Sequence, residues 1–446
     1  MKRTPLSALT VAAGLLTAAA SQAQVFNAGD LVVSTYGNAG TNASTGNYQD
    51  GVPTPITLEE YTTSGSEVNA LTLSTANQGS NVGIVGEYGS SSEGTIQLSG
   101  NGQYLTINGY SADPSYAGTG AINGAYSNAN GAALAQSTDT DVPRVFALID
   151  ANGNVNSSTL LNDVYSTNNP RSSYTPDGST LYISGQGSGT SDQGLFKTSV
   201  GTNTVTQPSS APTPISTTYD TRVVEAYSGN LYYSQDKKNK STGIFMYNGM
   251  PTSASATATQ IIPASVVSGS TKLNLSPTEF FFADPNTLYV ADTGLPKAGG
   301  TSDGGIQKWV LTGNTWSLKY TLTDSNFVAP TATANATHGE TGFEALTGSV
   351  SNGVVSLYAV SYTAGDADPN GLYSISDVIA ATSSNATFTE LVASSADSVF
   401  KGVSFAPSAV PEPSTYALGI GGLALLGTVL KNRASRRRAN RPDCTV

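Results

Sequence analysis

One cysteine and one histidine in 446 residues remove two kinds of chemistry at the outset. Cys444 has no partner for an intramolecular disulfide, so stability has to come from buried core area. His338 alone cannot make a His-rich metal site, and a Ser–His–Asp triad would have to be assembled around that single imidazole. Charge is scarce as well, at 11% of residues, and the polar character of the chain comes from Ser, Thr, Asn and Gly. No G-x-S-x-G, phosphate-loop or H-E-x-x-H signature is present. Acid outnumbers base 31 to 20, for a net charge of −11, which argues against nucleic acid as a partner and against anionic polysaccharide unless cations intervene.

What is present begins with two apolar ends. Lys2 and Arg3 precede an apolar stretch from Leu6 to Ala20, and Ser21-Gln22-Ala23 offers small residues where a signal peptidase needs them. Residues 1–23 therefore read as a removed secretory signal. At the other end, Tyr416 to Leu430 would rise only about 22 Å as a helix, against roughly 30 Å for a bilayer core, so it reads as a short single transmembrane helix. Lys431, Arg433, Arg436, Arg437, Arg438 and Arg441 follow it and hold that end in the cytoplasm by the positive-inside rule. Cys444 falls on the same side, leaving the exported part without a thiol. With both ends set aside, residues 24–409 carry 12 basic and 29 acidic side chains, a net −17.

Between body and span stands Val410-Pro411-Glu412-Pro413, whose two prolines forbid a helix and present an extended segment to a processing enzyme. Pro-Glu-Pro, a short apolar span and an Arg cluster, in that order, resemble the PEP-CTERM sorting domain of Gram-negative bacteria. The resemblance covers residues 410–446 only. It implies transient anchoring in the inner membrane, cleavage by an exosortase near Pro411, Glu412 and Pro413, and delivery to the cell surface or an exopolysaccharide matrix. About the body it implies nothing.

Residues 24–409 show short β-branched and aromatic runs punctuated by Gly, Asn and Asp, an all-β pattern. One unit recurs: a strand, a tight turn and a second strand built on Leu-Tyr, as in "RSSYTPDGSTLYISG" from Arg171, "RVVEAYSGNLYYSQ" from Arg222, "EFFFADPNTLYVADTG" from Glu279 and "EALTGSVSNGVVSLYAVS" from Glu344. A looser copy starts at Glu93. Asp177-Gly178, Asn101-Gly102 and Asn352-Gly353 supply the positive-φ turns. Third runs open on glycine at Gly194, Gly243, Gly305 and Gly371. Fourth runs follow as "NTVTQ" from Asn203, "TATQII" from Thr257, "TWSLKYTL" from Thr315 and "ATFTELV" from Ala386. Four antiparallel strands per repeat make a β-propeller. "GDLVVSTYG" from Gly29 lacks a first strand and "KGVSFAPS" from Lys401 lacks a second, so the two ends should share a blade and close the ring. Six blades result. A seventh hidden between Ser66 and Ser92, or two stacked β-sandwiches, are the alternatives.

Several groups are candidates for chemistry. The first strands begin near Glu93, Arg171, Arg222, Glu279, Glu344 and Lys401, which would line the central channel as a ring of mixed sign, able to clamp a polar ligand or simply to pair internally. The long insertion from Ser111 to Pro143 carries Tyr116, Tyr126, Asp139 and Asp141. "DADPNGLYSISD" fits a calcium loop, with Asp366, Asp368 and Asn370 as metal candidates. An extended strand from Gly371, however, would carry Asp377 about 20 Å from Asn370, too far to share the ion. His338 lies near Glu340 and Glu344, and the following "GFEAL" is similar to a short run in esterase-like and phytase-like propeller repeats, without a phytase's basic phosphate contacts or acidic calcium shell. The chain therefore reads as an exported, non-enzymatic glycan- or protein-binding propeller needing no cofactor. The alternative is a hydrolase or lyase using channel carboxylates such as Glu279 and Glu344, with or without calcium and His338.

Overall fold

A computed structural model of the chain describes residues 25–37, 51, 53–90, 92–112, 133–189, 191–201, 213–216, 220–236, 241–265, 274–294, 304–324, 327, 339–363, 368–384, 386–395, 398–409 and 431. Gln24–Ala409 form one compact unit, and it is a six-bladed β-propeller. From the innermost strand outward, blade one is Ser398–Phe405, Leu31–Gly37, Ile56–Tyr61 and Glu67–Thr72. Blade two is Gln97–Leu98, Tyr104–Tyr110, Arg144–Asp150 and Val155–Leu161. Blade three is Pro170–Tyr174, Thr180–Gly185, Gly194–Ser199 and Thr213–Ser216. Blade four is Thr221–Tyr227, Asn230–Gln235, Gly243–Tyr247 and Ala258–Pro263. Blade five is Pro277–Asp284, Thr287–Asp292, Gly305–Thr312 and Thr315–Leu322. Blade six is Glu340–Ser351, Val354–Thr363, Gly371–Val378 and Phe388–Ala393.

Blade one closes the ring from both ends of the body. Leu31 pairs with Phe405 and Gly37 with Ser398, so each end supplies the neighbour that the other lacks and the ring closes. The region from Ser66 to Ser92 holds no seventh blade. It supplies the outer strand of blade one and a two-residue arm, Gly86–Glu87, paired with Pro53–Thr54.

Two strand expectations are corrected. The inner strand of blade two is only Gln97–Leu98, because Gly94 takes φ +81°, outside the β region, and breaks the run expected from Glu93. The outer strand of blade three is Thr213–Ser216, whereas the "NTVTQ" run at Asn203 lies outside the described residues. Alternating Val and Thr made that run look like a strand. Ile215, however, supplies the apolar side chain that the core between blades three and four takes.

Aliphatic and aromatic side chains from facing sheets fill each of the six seams between neighbouring blades. A second device crosses the seams. Buried hydroxyls on second strands donate to carbonyls on the innermost segment of the next blade: Ser34 to Gly94 at 2.5 Å, Thr106 to Ser173, Ser184 to Arg222 and Ser234 to Thr278. In "TLYIS" and "NLYYS" that serine stands three residues after the leucine, so the Leu-Tyr signature marks the seam as well as the strand. Blade five has Ala291 there, and Thr278 Oγ1 reaches the Phe343 carbonyl at 3.4 Å instead. At the closure the Asn370 amide donates to the Phe400 carbonyl at 2.9 Å and accepts from its N–H at 2.8 Å. Each of these groups would be costly to bury unpaired.

Candidate functional site

Arg171, Arg222, Glu344 and Lys401 on the inner strands, and Glu93 just before the inner strand of blade two, surround one cavity on the axis. Its volume is about 20 Å³, room for roughly one water. Arg171, Arg222 and Glu93 take their closest partners from outside the ring, whose mixed sign suggested pairing within it. Arg171 is ion-paired with Asp220 and donates to Gln186 at 2.7 Å. Arg222 shares Asp220 at 3.4 Å and reaches Asp236 at 3.5 Å. Glu93 accepts from the Tyr110 hydroxyl at 2.5 Å, the Asn169 amide at 2.6 Å and the Glu87 N–H at 3.1 Å. Burial raises the pKa of the Glu93 carboxyl, and it drives the Arg171 guanidinium well below its ordinary range with the Arg222 charge adding to the effect. Arg171, Arg222 and Glu93 are thus engaged inside the fold.

Glu279 sits apart from that cavity. Its Oε1 accepts from the amide of Gln97 and its Oε2 from the Leu346 N–H at 3.0 Å. Blades two and five face each other in a six-bladed ring, so the Gln97–Glu279 bond ties the inner strands together across the axis. Burial pushes the Glu279 carboxyl up to about 8, and that of Glu225 on the neighbouring inner strand rises well above the usual range through burial and then the Glu279 charge.

The remaining candidates separate. Asn370 spends its amide on Ser361 and Phe400, and Asp377 lies in the extended strand Gly371–Val378 bound to Lys308, so neither is left to a calcium loop. Asp366 and His338 lie outside the described residues. No group of three or more potential metal-binding side chains occurs among the described residues. In the long insertion, Tyr116 and Tyr126 are also outside them. Asp141 accepts from the Thr138 hydroxyl at 2.8 Å, within the loop. Arg144, fully buried, fastens the returning segment by donating to the carbonyls of Ser137, Val142, Tyr165 and Asn168.

A larger opening lies elsewhere, between blades four and five, with a volume of about 420 Å³. Tyr227 stacks on Phe282 with ring centroids 4.5 Å apart, and Trp316, half-buried on the outermost strand of blade five, meets Phe282 edge-on at 6.2 Å. Asn230, Asn314 and Gln260 supply amides to the same groove, and no Asp, Glu, Lys or Arg lines it. Tyr227 and Asn230 are presented by a tight turn in which Ser228 (φ +49°) and Gly229 (φ +81°) both take positive φ. The strand repeat does not mark this groove. Its sequence signal was an aromatic residue at a hairpin turn and a tryptophan starting an outer strand, and nothing local tells that the two face each other.

Residues 409–438 match the PEP-CTERM protein-sorting motif. The motif implies export, processing by an exosortase and membrane-associated sorting to the cell surface. Its Pro411, Glu412 and Pro413, the apolar span, and the basic cluster apart from Lys431 lie outside the described residues, as does the leader at 1–23. Among the described residues no helix is long and apolar enough to cross a membrane. No curated protein matches the chain. Solved structures resemble the body distantly. One is from a nidogen/laminin complex (11% identity, 85% of this chain and 99% of that one, TM-score 0.38). Another is the β-propeller domain of the trilobed protease from Pyrococcus furiosus (8%, 80% and 97%, 0.34). A third is the GH74 xyloglucanase from Xanthomonas campestris (12%, 76% and 45%, 0.33). At these identities and TM-scores the likenesses carry no argument about activity.

Proposed function

We propose that the protein is an exported, surface- or matrix-associated binding module: an exosortase delivers the propeller to the cell surface or an exopolysaccharide matrix, where it holds a glycan without turning it over. The observation that supports this reading most is the contrast in available space. Of the channel charges, Arg171, Arg222 and Glu93 are engaged with Asp220, Asp236, Tyr110 and Asn169 around a cavity of about 20 Å³, and Glu279, apart from it, is engaged with Gln97. The opening of ligand size is uncharged and aromatic, a lining suited to holding rather than cleaving. Glu225 and Glu279, both shifted up, are the carboxyls an acid–base mechanism would draw on, and they favour the enzymatic alternative only if substrate reaches them.

The test is to purify residues 24–409, probe a glycan array with and without calcium, and assay the bound glycans for released reducing ends. Binding without release is the expected result. Release of reducing sugar would replace the module with a hydrolase, and a blank array would remove the glycan.

A further inference from the structure

We infer that the groove between blades four and five is a binding site for a neutral saccharide chain, an inference that rests on the reading of the protein as a glycan-binding module. Three observations carry it. The groove, at about 420 Å³, falls in the range of small-ligand sites, roughly 300–1,000 Å³. Its walls pair aromatic surface with neutral hydrogen-bonding groups: Tyr227, Phe282 and Trp316 on one count, Asn230, Asn314 and Gln260 on the other. A pyranose presents the same two characters, an apolar C–H face and a rim of hydroxyls, so stacking and amide contacts can be made at once. Finally, charge is missing from this lining although residues 24–409 carry a net −17. An acidic chain would meet a repulsive protein and find no cation in the groove, whereas a neutral chain meets neither penalty.

The site is also built in advance. Tyr227 is fixed from below by Phe282 and from the side by the positive-φ turn, so little conformational freedom remains to be lost when a sugar stacks on it. Trp316 is the one ring of the set on the outermost strand, where only part of it is covered.

The full chain, purified in mild detergent, is titrated with cellohexaose, laminarihexaose and mannohexaose as neutral probes and with tetragalacturonate as the acidic one. Isothermal titration calorimetry serves as the readout, since it does not depend on Trp316, the groove residue that one of the variants removes. At least one neutral probe should bind with measurable heat. Trp316→Ala should weaken that binding about tenfold or more, as truncating a central aromatic does. Asn314→Ala removes only an exposed side chain, so the fold is kept; combined with Gln260→Ala, which also gives up the amide's bond to the Thr242 carbonyl at 2.9 Å, it should weaken binding about threefold to tenfold. Preference for tetragalacturonate over every neutral probe overturns the inference, as does failure of all four to bind. Neutral binding unchanged in both variants overturns the site while leaving the protein a glycan binder elsewhere, and an empty glycan array is what would sink the underlying reading.

Discussion

The seam between blades five and six and the seam between blades four and five start from similar materials and end differently. In the first, the Lys308 ammonium is fully buried and donates to Asp377 at 3.0 Å, the Tyr320 hydroxyl at 2.8 Å and the Val378 carbonyl at 2.6 Å. The Tyr289 hydroxyl completes the cluster by donating to Asp377 at 2.6 Å, and Phe343 stacked on Phe388 fills the same seam. In the second, Tyr227, Phe282 and Trp316 meet without a charge among the groove's lining residues, and the seam opens into the groove. A buried cation has to be enclosed by partners on every side, which compels closure. Uncharged aromatic rings gain from contact but tolerate water at their edges, so the second seam is free to stay open for a ligand.

The largest effect is expected from breaking the closed seam. Lys308→Ala leaves Asp377 buried without its cation and should cost about 3–5 kcal/mol in urea denaturation. Lys308→Met with Asp377→Leu removes both charges together and should recover a large part of that loss. A cost below about 1 kcal/mol for the single variant would mean that the seam is held by its aromatic packing alone, and the contrast with the open seam would lose its cause.

Next comes the inner strand of blade five, which both seams share. With the Glu279 carboxyl at about 8 in the folded protein against an ordinary 4.5, the folded state keeps a proton that the unfolded chain releases. Its contribution is fully present below about pH 4.5, falls as the pH rises above that, and is gone above about pH 8. Stability measured from pH 5 to 8.5 should therefore decline, and Glu279→Gln should flatten part of the slope. A wild-type profile that rises with pH would contradict burial of a neutral carboxyl beside the axis.

These two seams also show what could be read in advance. The blade count followed from unpaired ends, since "GDLVVSTYG" from Gly29 lacks a first strand and "KGVSFAPS" from Lys401 lacks a second, and the two pair in blade one. Arg171, Arg222, Glu344 and Lys401 could be placed on inner strands because the repeat aligns them, and they meet at one cavity with Glu93, which stands before its blade's inner strand and not on it. Their partners could not be foreseen. Asp220 and Asp236 sit in connections outside the repeat signature, and Gln97 reaches Glu279 only because six blades set two and five opposite each other. Nothing in "GIQKWVLTG" sets Lys308 apart from other strand lysines, and Asp377 stands out only by a calcium-loop spacing that an extended strand rules out. Their pairing depends on how blade five packs on blade six, an arrangement carried by the whole ring and by no local stretch. The aromatic groove was hidden for the same reason.

The smallest effect is expected at the rim of the open seam. The turn that carries Tyr227 and Asn230 needs positive φ at both central positions, and Ser228 meets that demand at φ +49° without being glycine or asparagine. Ser228→Asn should therefore raise stability by about 0.5 kcal/mol, since asparagine tolerates the left-handed region better. Gly229→Ala should lower it by about 1 kcal/mol; no atom lies within 4 Å of where the new Cβ would stand, so the loss would come from the backbone alone. Thermal melts of the pair give the comparison. Opposite signs would show that the rim of the groove is set by backbone conformation, independently of what occupies it. If Ser228→Asn instead destabilises, the serine hydroxyl shapes the turn, and the open seam would depend on a side-chain contact as the closed one does.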